Sequence, residues 1–182
     1  MDATPSRFSS RPTWPRAPGP GFARGNRWKE RCESQGLILL APKAAEGGKW
    51  QRGDLDFAVK ALDQLRAVYQ TDSLRIVAGG HEIGGALAYA MAFANRERIR
   101  GVAAIDAPLG EAPPDNDPVY RLDFYLTRAA KSSSAASIEK ALSALRERRY
   151  AVSVREQGEQ GHGLNDEERG ELVRWIDALD KL

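Results

Sequence analysis

Leu74-Arg75-Ile76-Val77-Ala78-Gly79-Gly80-His81-Glu82-Ile83-Gly84-Gly85 is the stretch that decides the fold. Leu74 to Ala78 is a short apolar run rich in β-branched residues, the pattern of a buried strand. An alanine-rich helix follows from Ile83 to about Asn95. Between them the chain reverses within a few residues, which needs small residues because strand and helix backbones nearly touch. Two other glycine-rich readings fail. A dinucleotide-binding G-x-G-x-x-G would need glycine where His81 stands, and a Walker loop would need Lys-Ser or Lys-Thr after Gly85. Read plainly, the stretch is a tight strand-to-helix turn that requires no chemistry.

Working outward, strands and helices alternate. Trp28 to Gln35 reads as a short helix stopped by Gly36. Leu37 to Ala41 reads as a buried strand ended by Pro42. A glycine-rich loop spans 43–53, and Asp54 can cap a helix to about Gln70. Its apolar positions Leu55, Ala58, Val59, Leu62, Leu65 and Tyr69 recur at helical spacing. Val102 to Ile105, Arg121 to Thr127 and Tyr150 to Val154 read as further strands. Ser134 or Ser137 opens a helix presenting Ile138, Ala141, Leu142 and Leu145. Asn165 followed by Glu168 is a capping-box signature for the last helix. The class is α/β, in three layers: helices on both faces of a mostly parallel sheet.

The 182 residues carry a formal charge of +2. Residues 1–27 hold five arginines and one acid, a net of +4, so the remaining 155 sum to −2. Five of the ten prolines also fall in this segment, which should be a disordered Pro/Arg-rich tail, with the domain over 28–182. Nucleic acid is therefore not an expected partner of the folded part. Sparse arginines with Phe8 and Trp14 could contact phosphate, but among prolines they read as a solvated linker. No apolar run approaches the ~18 residues of a membrane helix, and the tail lacks the apolar core of a secretory signal. A single cysteine, Cys32, rules out an internal disulfide and reads as a packing residue. Two histidines make a His-rich metal site unexpected, and no cofactor is implied.

The motif Gly80-His81-Glu82-Ile83-Gly84-Gly85 has the spacing of a nucleophile elbow, G-x-S-x-G, with Glu82 in place of serine. Gly161-His162-Gly163 lies after the last strand and before the final helix. With the element order and terminal helix, these residues resemble the α/β-hydrolase superfamily over about 26–182, especially its dienelactone-hydrolase and carbohydrate-esterase-like members. Trp28-Lys29-Glu30-Arg31-Cys32, Leu37 to Lys43, Ala103 to Leu109 and Arg174-Trp175-Ile176-Asp177 narrow it. They resemble a degenerate hydrolase-like domain found C-terminal to trypsin-like/PDZ serine proteases of planctomycete-type bacteria, which implies a cell-envelope setting.

The resemblance implies catalytic roles for Glu82 at the elbow and His162 in the loop. The acid expected in the stretch Thr127 to Ser132 is absent. Asp106, after the third strand, is the substitute, although its plain reading is a solvated loop or cap acid. The resemblance also implies a strand before Trp28 that this chain does not supply. The fold is thus a partial α/β-hydrolase fold lacking the first strands, with an unpaired central edge through which a dimer could form. The oxyanion donors of the absent loop go with it.

The leading functional expectation is a non-catalytic hydrolase-like domain with a binding or structural role, its ligand a protein or a small molecule. The alternative is an esterase- or dehalogenase-like hydrolase using Glu82 and His162.

Overall fold

A computed structural model describes residues 26–43, 50 and 52–181. The expected tail over 1–27 and most of the glycine-rich loop lie outside the described residues. The chain divides into two compact units, Met1–Ala41 and Pro42–Leu182.

In the first unit, α1 spans Asn26–Gln35. Gly36 follows at φ +64°, the left-handed stop expected of it, and the Leu37 N–H bonds back to the Cys32 carbonyl. Burial pushes the Cys32 thiol above its ordinary value, partly offset by a backbone hydrogen bond from Leu39, which suits an inert packing residue. The strand expected at Leu37–Ala41 does not form. A strand requires a ladder partner for its backbone groups, and none pairs with this segment among the described residues. Its side chains are correspondingly open: Ile38 and Leu39 are each about half exposed.

The second unit begins its regular structure with α2, Arg52–Val68. Asp54 sits inside the first turn rather than at the cap. A four-stranded sheet follows, β1 (Val77–His81), β2 (Gly101–Ile105), β3 (Asp123–Arg128) and β4 (Ala151–Glu156), in spatial order β1-β2-β3-β4 and parallel throughout. β1 begins three residues later than the apolar run predicts. Asp72 holds the preceding residues in a turn, its Oδ1 accepting from the Leu74 N–H and its carbonyl from the Arg75 N–H. The strand instead extends through Gly79 and Gly80 to His81, a continuation that apolar patterning does not reveal.

Between strands run α3 (Ile83–Ala94) and α4 (Ala135–Glu147), and α5 (Asp166–Ala178) follows β4. Right-handed crossovers in one direction place α3 and α4 on the same face. That face carries the core: Ala88, Tyr89 and Ala92 of α3 and Ile138, Leu142 and Leu145 of α4, over Val102, Ala104, Phe124 and Leu126. Phe124 meets Tyr89 at 5.9 Å between ring centres and Tyr150 edge-on at 5.1 Å. The Tyr150 hydroxyl donates to the Pro114 carbonyl, tying down the 106–122 loop that connects β2 to β3. α5 covers the opposite face, where Trp175 packs against Tyr125 at 5.7 Å. Gly101 has no side chain because any β-carbon there would press on Trp175, 2.7 Å away. Trp175 is itself half-buried, as are Trp28 and Trp50.

β2 is buried along its whole length, whereas β1 is buried only at Ala78 and exposed at Gly79. No described strand pairs with the outer edge of β1, the edge beside which the sequence resemblance places a further central strand.

Candidate functional site

The site lies at the carboxyl ends of β1 and β2, where the elbow turn is built. Glu82 has φ +50° and ψ −117°, a backbone conformation few side-chain-bearing residues adopt. Two features hold it there. The Glu82 N–H donates to the Ile105 carbonyl, extending the β1–β2 ladder by one bond, and its carbonyl accepts from Gly85 and Ala86 as α3 starts. The glycines are sterically required. A β-carbon on Gly80 would lie 2.7 Å from the Gly85 nitrogen, and one on Gly85 would strike Ala107 and stand 2.9 Å from the Gly80 carbonyl oxygen. The elbow geometry read from the motif is therefore present, with a carboxylate on it.

Glu82 projects outward, its side chain 67% exposed. Its Oε1 is 4.0 Å from Nε2 of His81, and no side-chain hydrogen bond caps α3. Asp106 sits one residue past β2, itself at φ +46°. It is not the solvated acid its loop position suggests: it is 6% exposed, and its Oδ1 is buried without a hydrogen-bond partner. Register pairs His81 with Ile105, so the residues after each strand, Glu82 and Asp106, emerge side by side. One donor atom each from His81, Glu82 and Asp106 lies within 4.8 Å of the others.

Asp106 also reaches the histidine loop. A β-carbon on Gly161 would overlap its carboxylate, so the α-carbon of Gly161 lies directly against it. From there a buried polar chain runs toward α5. The Asp106 N–H donates to Oγ1 of Thr127 (3.0 Å), whose hydroxyl donates to Oε1 of Gln157 (2.9 Å). The Gln157 amide donates in turn to the His162 carbonyl (3.0 Å) and to Oε1 of Glu168 (3.1 Å). Glu168 is fully buried and completes the predicted capping box: its Oε2 accepts from the Asn165 N–H, and its own N–H donates to Oδ1 of Asn165.

His162 lies 46% exposed, with Nδ1 2.9 Å from the Gly163 carbonyl and 3.7 Å from Oε2 of Glu168. The acid nearest the histidine is thus Glu168 and not Asp106. Sequence reasoning missed it because a capping box already explains a Glu at that position. Thr127 and Gln157 carry no motif at all, and His81 was hidden inside the elbow spacing.

No protein-family model matches the chain, and no curated protein matches it in sequence. Solved structures do match. The carboxylesterase of Bacillus cereus aligns with TM-score 0.55 at 18% identity over 78% of this chain and 72% of its own. MGS-M1, an α/β-hydrolase enzyme from a deep-sea metagenome library of the Medee basin, aligns with TM-score 0.55 at 14% identity over 75% and 68%. FphF, a fluorophosphonate-binding serine hydrolase of Staphylococcus aureus, aligns with TM-score 0.57 at 10% identity over 87% and 77%. At such identities the likeness concerns architecture: the chain has an α/β-hydrolase fold, represented by part of its sheet.

Proposed function

We propose that this α/β-hydrolase-fold chain binds a ligand at its elbow and does not cleave an ester there. One observation carries the reading: the elbow turn is intact, but it presents an exposed Glu82 whose carboxylate no hydrogen bond holds in place. Acyl transfer needs a nucleophile positioned to a few tenths of an ångström, and a swinging carboxylate loses that advantage. The neighbouring Asp106 carboxylate adds a like charge, which suits capture of a cationic or polar ligand better than attack on a carbonyl.

A second reading, hydrolysis by Glu82 as nucleophile with His162 as base, is favoured by one feature. The Nδ1 contacts of His162 with Gly163 and Glu168 are those that orient a catalytic imidazole through its other nitrogen.

Purified protein assayed against a panel of p-nitrophenyl esters and haloalkanes separates the two. The binding reading expects no turnover above buffer and no covalent adduct on Glu82 by mass spectrometry. Turnover that disappears in both Glu82→Gln and His162→Ala would overturn it.

A further inference from the structure

We infer that His81, Glu82 and Asp106 form a binding site for one divalent first-row transition cation such as zinc. The inference rests on the reading of the elbow as a binding site and names its ligand. Three observations converge on it. The donors are an imidazole nitrogen and two carboxylate oxygens within 4.8 Å of one another, a set suited to zinc. Nε2 of His81 and Oδ1 of Asp106 are both buried and make no hydrogen bond. Asp106 is 94% removed from solvent, and its Oδ1 has given up water and received no donor in return.

A bound cation supplies what these two atoms lack. Burying a carboxylate is costly unless it is paired or coordinates a metal. The site also has a rigid and a mobile part. Asp106 is held by its N–H bond to Thr127 and by Gly161 against its carboxylate, and the His81 backbone by the β1–β2 ladder. Glu82 is the exposed arm. Donors around tetrahedral zinc stand about 3.3 Å apart for bonds near 2 Å, so closure asks for an approach of an ångström or more. Rotation of the Glu82 and His81 side chains can make that movement without disturbing the strained elbow backbone. Three protein donors leave a further position for water or for an anionic ligand, an open site. The strand ends thereby gain a use that does not require serine chemistry.

The test is zinc titration of the full chain by calorimetry after chelator treatment and dialysis, with cobalt(II) absorption as a second readout. A single cation per chain is expected, together with a visible cobalt band and a raised thermal midpoint. Asp106→Asn and His81→Ala should each weaken binding by at least the roughly 10- to 100-fold that loss of an outer-sphere partner costs. Asp106→Asn also removes a buried charge and suits a left-handed backbone, so it folds and keeps the comparison meaningful. Cys32→Ser should bind as the parent does. Absence of binding, or binding lost in His162→Ala or Cys32→Ser but retained in Asp106→Asn, overturns the site. Ester turnover in excess chelator overturns the binding reading of the elbow instead. Turnover seen only with zinc and lost in Asp106→Asn keeps the cation site and removes that reading.

Discussion

The carboxylate of Asp106 lies against the α-carbon of Gly161, joining two turns 55 positions apart in the chain. The contact leaves no room for a side chain at Gly161. Gly161→Ala should therefore displace Asp106 and cost about 1–3 kcal/mol of stability, the range for overpacking. Asp106→Gly in the same background relieves the overlap and the φ of +46° together, so the double variant should recover most of the loss. Urea unfolding of the two variants checks both statements.

The elbow glycines differ in a testable way. Gly85→Ala collides with Ala107 and with the Gly80 carbonyl, and should destabilise by about 1–3 kcal/mol. Gly84 has open space where a β-carbon would sit, and it lies in the first turn of α3. Gly84→Ala should be neutral or stabilise by up to about 1 kcal/mol, since alanine is the better helix former. Equal effects at the two positions would contradict the elbow packing.

At the start of α5, Asn165→Ala removes one cap bond and should cost about 1 kcal/mol. Glu168→Ala removes the reciprocal bond, leaves the Gln157 amide short of an acceptor and opens a buried space. Its cost should be clearly larger, about 2–4 kcal/mol. Thermal unfolding of the two variants orders them.

Asp123, at the start of β3, gives a pH signature. Burial pushes its carboxyl above the ordinary value, against the opposing pull of the Arg100 and Arg121 guanidiniums. Between the unfolded value near pH 4 and the raised folded value, the folded chain binds more protons than the unfolded chain. Stability therefore falls as pH rises through that window, and the full penalty is present above the raised folded value. Asp123→Asn should be relatively more stable at pH 7, with the advantage shrinking toward pH 4. Urea midpoints at several pH values check the sign.

Much of the architecture was legible along the chain. Helical periodicity marked α2 and α4, Asn165 and Glu168 announced the cap of α5, and Gly36 marked the end of α1. Glycine spacing around Glu82 identified the elbow turn, because only a narrow set of residues can sit where two backbones touch. These features are local: the atoms that impose them lie within a few residues of one another.

What one-dimensional reading could not supply was pairing. Leu37–Ala41 has the composition of a strand, but a strand exists only when a neighbour completes its hydrogen bonds, and none pairs with it among the described residues. Asp106 reads as a loop acid and is buried because Thr127, on the neighbouring strand β3, and Gly161 close over it. His81 and Asp106 come together only through the parallel register of β1 and β2. Glu168 meets His162 because α5 caps itself beside the loop that carries the histidine. The residue types and the turn were set by sequence. Which of them became neighbours, and which lost their water, was set by the sheet.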